Sequence, residues 1–290
     1  MSGRPEPISV TPDLLRSWPL PASDGDKYVR GQVLVIGGAR RTPGAAQLAG
    51  LSALRVGAGR LTMAVAESAA VALAVATPEA GVIGLPENDR GSVLPEIAER
   101  LADEIDRADA ILIGSGLDDA ELAGRLLADV QPALSEVGAP VLLDAFALGA
   151  LAGRPEMVEA LAGRLVLTPN GAEGARLLEQ DAVDPDTDVP RMARRYGAVV
   201  STMGRIADRE RFWQITTGRS GLGTSGSGNV LAGAIAGLLA RGAEPAQAAC
   251  WGTHLHAVAG DRLTAAVGAL GFLARELAAT LPTALAELQR

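Results

Sequence analysis

The stretch GLGTSGSGNVLAGAIAGLLARG, Gly221 to Gly242, carries a glycine-rich turn straight into an apolar helix. Gly223, Gly226 and Gly228 let the backbone take positive φ and approach a ligand closely. Free N–H groups at the helix start, backed by the positive end of the helix dipole, then suit a phosphate. The pattern is neither a Walker sequence nor G-x-G-x-x-G, and a plain glycine-rich turn is the alternative. Asn229 stands where a carboxylate at the helix start could do proton chemistry, and an amide has no useful basicity near neutral pH. In the helix that follows, Leu231, Ile235, Leu238 and Leu239 form one stripe, while Gly233 and Gly237 permit close packing elsewhere.

Three more stretches join short apolar runs to polar or glycine-rich residues: GGARRTPGAA (37–46), GSG (114–116) and TPNGAE (168–173). Open parallel sheets bind ligands beyond the carboxyl ends of their strands, so these ends are candidates. Arg40 and Arg41 could meet an anion or simply be solvated. His254 and His256 lie two apart in a helix and face different ways, whereas a zinc pair prefers a spacing of four. Both read as packing, as do Cys250 and Trp251. Ser227 has no evident His or Asp partner in the sequence, so a serine hydrolase has no positive support.

The elements that must position these residues alternate. GQVLVIGG, RLTMAVA, GVIGL, AILIGSG, APVLLDA, RLVLT, GAVVST and RFWQITT read as strands. Between them the 3.6-residue period marks helices near 43–59, 67–76, 93–107 and 119–137, with another opened by PNGAEGARLL. From Gly228 onward the chain reads as helix, broken near Gly242–Pro245 and Val267–Gly271. This predicts an α/β fold: a mainly parallel sheet with helices on both faces. Residues 1–30 read as an N-terminal arm with one short helix near Pro12–Trp18, and 31–290 as a single domain.

The 290 residues are 48% apolar and 21% charged, which fits a globular chain with an ample core. A net charge of −8 repels polyanions, so nucleic acid is not expected as a partner, although one local pocket can still hold a small anion. Lys27 is the only lysine, so no other position offers one for phosphate or Schiff-base work. With Cys250 alone, no intrachain disulfide forms. The first residues lack a signal-peptide core, and the apolar run Val230–Ala240 is too short to span a bilayer. A cytoplasmic protein without membrane contact is the expectation.

Taken together, GQVLVIGGARRTPGAAQLAGLSALRVGAG, VLLDAFAL, LTPNGAEGARLL, TTGRSGLGTSGSGNVLAGAIAGLLARG and the tail HLHAVAGDRLTAAVGALGFLARELAATLPTAL resemble the ADP- or ATP-dependent NAD(P)H-hydrate dehydratases. The resemblance covers about residues 28 to 287 and implies a ribokinase-like fold. It also implies repair of hydrated NADH or NADPH: the nucleotide phosphorylates the hydroxyl, and phosphate elimination restores the ring. By the same resemblance, the hydrate contacts Ala46, Gly116, Asn170 and Asn229. The nucleotide, ADP or ATP, lies against Met203, Gly204, Arg205, Ile206 and Ala207 and against Gly226 and Gly228. Magnesium is compatible with such chemistry, and a homo-oligomer is compatible with the Gly/Ala-rich helices.

Four motifs depart from the family pattern, at five positions. Asn229 replaces the Asp of GTGD, Phe146 replaces the second acid of LDADAL, Asn170–Gly171 replaces the His-Pro of TPHPGE, and Met203 replaces the Lys before the nucleotide loop. Losing a general base typically costs ~10²–10⁴ in rate. Asp144 and Glu173 are the retained carboxylates; each is a candidate for magnesium or proton work, or a structural hydrogen-bond acceptor at a strand end and a helix start. Three readings stay open: a dehydratase, a non-catalytic nucleotide- or dinucleotide-binding relative, and a small-molecule kinase of the same fold.

Overall fold

The structure, a computed structural model, describes residues 6–22, 26–218 and 221–289. The N-terminal stretch carries β1 (Ile8–Val10) and α1 (Pro12–Ser17). Thr11 caps α1 by accepting from the Leu14 amide. Then follow β2 (Gln32–Ile36), α2 (Pro43–Arg55), β3 (Arg60–Ala66), α3 (Glu67–Ala76), β4 (Ala80–Leu85), α4 (Ala98–Arg107), β5 (Ala110–Ile113) and α5 (Ala120–Glu136). Next come β6 (Val141–Leu143), α6 (Phe146–Gly149), β7 (Leu165–Leu167), α7 (Gly171–Leu177), α8 (Pro185–Tyr196), β8 (Val199–Thr202), β9 (Arg205–Ala207) and β10 (Phe212–Ile215). Three helices end the chain: α9 (Ser227–Ala240), α10 (Pro245–Ala266) and α11 (Ala274–Leu288).

Among the described residues the strands form one ten-stranded sheet in the order β1-β10-β9-β8-β7-β6-β5-β2-β3-β4. Every pairing is parallel except those of β9, which runs antiparallel to both β8 and β10. β1 thus makes part of the predicted arm an edge strand of the sheet, paired Ile8 to Trp213. β9 and α8 are not marked in the sequence reading. Helix α4 starts at Ala98, five residues later than expected, because Glu96 takes positive φ and Val93 bridges to Glu87.

Strand residues alternate between two cores, as the period of two requires. Val33 and Val35 face one side with α2, α9, α10 and α11, while Leu34 and Ile36 face the other with α4, α5 and α8. Helix α9 packs closest on α2, and its glycines explain why. A Cβ on Gly233 would sit 2.0 Å from the Ala49 carbonyl oxygen, and one on Gly237 2.5 Å from that of Ala53. The close packing expected of these two glycines is therefore met, and it fixes where the N-terminus of α9 points.

Candidate functional site

The sheet order places β2 between β5 and β3, so the chain leaves β2 in one direction and returns on its other side. Loops diverge at such a switch point and open a crevice beyond the carboxyl ends of the strands. Here the two predicted loops meet. The Gly38 amide donates to the Ser115 carbonyl at 2.9 Å and the Ala39 amide to that of Gly116 at 2.8 Å. The Thr42 hydroxyl also donates to the Gly116 carbonyl, at 2.7 Å. A Cβ on Gly37 would lie 2.2 Å from the Ser115 carbonyl oxygen, so only glycine allows this approach. Ala46 in α2 is fully buried, with its Cβ beside Gly38. Ala46 and Gly116 therefore stand together. Arg40 is drawn away, held by Glu87 at 2.6 Å and by Ser68.

Asp144 follows β6 and is buried between the neighbouring strand ends. The Ser115 hydroxyl donates to it at 3.2 Å and the Thr168 hydroxyl at 2.8 Å. Burial pushes its carboxyl up to about 7; the two hydroxyls offset part of that rise, and the Glu173 charge adds to it. Among the alternatives for Asp144, structural hydrogen bonding at a strand end is what the geometry displays. Ala145, next in the chain, takes positive φ at 49°, a strained conformation for a non-glycine residue, and it swings Phe146 to the surface.

Asn170 and Glu173 form a capping box at the start of α7. The Glu173 amide donates to Asn170 Oδ1 at 2.9 Å, and the Asn170 amide donates to Glu173 Oε2 at 2.8 Å. Both polar groups are thereby committed to helix capping. Position 171 lies against Met203, 3.5 Å from its Sδ to a Cβ built there. Met203 and Gly204 form the two-residue turn between β8 and β9, both with positive φ, as hairpins of this type demand. Arg205 donates through Nε to Asp186 at 2.7 Å, while Ile206 and Ala207 have their side chains in the core.

The glycine turn is anchored from behind. The Gly218 amide donates to Asp261 at 2.8 Å, and the Thr224 hydroxyl to the Phe272 carbonyl at 3.3 Å. Gly226 takes positive φ and packs beneath Leu48 and Ala274. A Cβ at Gly228 would meet nothing within 4 Å, so the first turn of α9 keeps an open face. Asn229 is half-buried in that turn.

One pairing corrects the sequence reading. Ser227 does have a histidine partner: its hydroxyl lies 2.9 Å from His256 Nε2, which also reaches the Ser227 carbonyl at 3.1 Å. Burial drives His256 down to about 4, so the ring is neutral at pH 7. In the tautomer with hydrogen on Nε2, the ring donates to the carbonyl and the hydroxyl hydrogen is left to donate elsewhere; in the other tautomer the hydroxyl donates to Nε2. Among the described residues no carboxylate is hydrogen-bonded to the ring, so these groups do not form a hydrolase triad. The sequence hides the pair because its members are 29 residues apart on different helices. Two further hydroxyls at the same sheet end, those of Thr202 at the end of β8 and Thr217 after β10, are buried without a hydrogen-bond partner among the described residues.

The family model described as NAD(P)H-hydrate dehydratase matches residues 33–283, with both switch-point loops and the α9 turn inside the match. The chain belongs to this family. It is 40% identical to an ADP-dependent (S)-NAD(P)H-hydrate dehydratase of Xanthomonas campestris over 99% of both chains. It also matches bifunctional NAD(P)H-hydrate repair enzymes, of whose length it spans about half (51% in one case). The fold is that of a ribokinase-like superfamily protein of Enterococcus faecalis: TM-score 0.81 at 26% identity, covering 98% of this chain and 97% of that one. A Bacillus subtilis ADP/ATP-dependent NAD(P)H-hydrate dehydratase co-crystallized with ATP/Mg²⁺ superposes with TM-score 0.76 at 26% identity, over 97% and 98% of the chains.

The family and the ribokinase-like α/β fold expected from the sequence are thus both found. Among the described residues no helix is long and apolar enough to cross a membrane. Nor do three metal-ligating side chains gather anywhere among them. Asp144 accepts from two hydroxyls, and Glu173 accepts through Oε2 in the capping box.

Proposed function

We propose that this chain is a nucleotide-dependent NAD(P)H-hydrate dehydratase, using ADP or ATP to drive loss of water from hydrated NADH or NADPH. The observation that carries the reading is the end-to-end 40% identity with the Xanthomonas campestris ADP-dependent enzyme. The geometry supports it. Amides at the start of α9 face open space where a transferring phosphate would sit, with the helix dipole behind them. Ser227 offers a hydroxyl fixed by His256. The hydrate would rest between Ala46, Gly116, Asn170 and Asn229, and the nucleotide along Met203–Ala207 and the turn at Gly226–Gly228. The unpartnered hydroxyls of Thr202 and Thr217 suit the polar part of such a ligand. Magnesium, which binds mainly through substrate phosphates and water, would arrive with the nucleotide.

The reaction on this reading moves a phosphoryl group to the hydrate's hydroxyl, whose proton must go to a base. Elimination then expels orthophosphate together with a proton from the adjacent ring carbon and restores the nicotinamide double bond. Asn229 can hold the hydroxyl by a hydrogen bond but cannot take its proton. That favours a second reading, a relative that binds nucleotide and dinucleotide with little or no turnover.

Incubation with hydrated NADH and ADP or ATP, followed by the return of NADH absorbance, separates the two. Turnover at an ordinary enzyme rate supports the first. No turnover, together with a thermal shift on adding ADP or NAD, supports the second. Asn229→Asp should raise a weak rate by roughly 10²–10⁴ if the missing base is the only defect.

A further inference from the structure

At the opposite end of the sheet, three helices finish close together: α2 at Arg55, α9 just before Arg241, and α11 at Leu288. Between them lies a cavity of about 180 Å³ lined by Arg30, Arg55, Arg241 and Gln289, with no acidic residue among the described residues of its wall. Arg241 is only 8% exposed. Its two terminal nitrogens donate to the carbonyls of Val56 and Pro21. Its Nε, and that of Arg30, are buried without an acceptor. Burial and the neighbouring Arg30 charge both hold the Arg241 guanidinium below its ordinary value.

We propose that this cavity is a binding site for a small oxyanion such as orthophosphate, gripped by Arg30, Arg55 and Arg241. Three guanidinium charges are only part-balanced by the helix ends, since each C-terminus contributes about −0.5 charge. Among the described residues of the wall, about half of the positive charge is therefore uncompensated. Two buried N–H donors without acceptors are costly to leave so, and an anion oxygen supplies what they lack. The volume admits one tetrahedral oxyanion. The fourteen residues of α9 set this cavity about 20 Å from the glycine turn, so it is separate from the candidate active site.

The test needs no turnover and so stands apart from the catalytic reading. Thermal unfolding is followed in orthophosphate and in sodium chloride of equal ionic strength. The wild type and the Arg30→Gln/Arg55→Gln double variant are compared; both positions are less buried than Arg241, which is left to hold its carbonyls. At tenfold excess over Kd, phosphate should raise the wild-type Tm by about 2 °C, and the double variant should lose that rise. A crystal grown in selenate should then display the anion between the arginines by anomalous scattering. An unchanged Tm rise in the double variant, no rise beyond sodium chloride, or selenate at the glycine turn alone would each overturn the proposal.

Discussion

Asp144 offers the sharpest stability test. Its carboxyl is buried and raised from 3.8 to about 7. In the unfolded chain it ionises near pH 4, while in the folded chain it keeps its proton to about pH 7. Between those values the folded state binds more protons, so stability from this group falls as pH rises and levels off above 7. A gap of about three pKa units corresponds to about 4 kcal/mol in full, and about 2.5 kcal/mol of that falls between pH 5 and pH 8. Asp144→Asn removes the charge while keeping a polar group for Ser115 and Thr168. Urea unfolding of both proteins at pH 5 and pH 8 reads the difference. The variant should gain on the wild type by about 2.5 kcal/mol as pH goes from 5 to 8. A gap between the two proteins that stays constant with pH would show that Asp144 is already ionised in the folded state, and the burial reasoning would fail.

Other expectations follow from single contacts. His256 is depressed to about 4, so the stability it contributes is complete above pH 6.5 and is lost as pH falls toward 4. His256→Gln should flatten that acid limb in the same urea series, and an unchanged limb would place the titration elsewhere. Gly233→Ala puts a methyl 2.0 Å from the Ala49 carbonyl oxygen and should destabilise by about 1–3 kcal/mol or more, read as a lower urea midpoint. Asn170→Ala removes the α7 cap and should cost about 1 kcal/mol, against no change if solvent replaces the cap fully.

The strand–helix alternation was legible because parallel strands buried on both faces are short, continuous apolar runs, as in AILI and VLL. The glycine turn was legible because its residues are contiguous. What stayed hidden depends on pairing across the chain. β1 is three residues long and exists only because β10 lies beside it. β9 is similarly short and rests on the Met203–Gly204 turn, whose first residue carries none of the usual turn signal. Ser227 and His256 carry no shared motif, and the register of α9 against α10 alone brings them together. Of the site residues, Ala46 and Gly116 are joined by the switch-point loops, whereas Asn170 was read for ligand contact and is engaged in a cap.

These differences bear on what the substitutions in the four motifs can do. The cradle at the start of α9 is made by backbone, and its shape is set by glycine packing on α2, by Asp261 and Phe272 behind the turn, and by His256 beneath Ser227. None of these supports involves Asn229, Phe146 or Met203. Exchanging side chains at those three positions can therefore change proton transfer and charge without disturbing the anion-binding shape. Asn170 is the exception, because its amide oxygen holds the first turn of α7. On the proposed reading, nucleotide affinity and turnover are separable: Asn229→Asp should change the rate with little effect on nucleotide Kd, whereas Gly226→Ala, which forces a methyl against Leu48 at positive φ, should weaken binding first. Equal losses of rate and affinity in both variants would mean that the turn and the side chain act as one unit, and that the backbone cradle is not independent of Asn229.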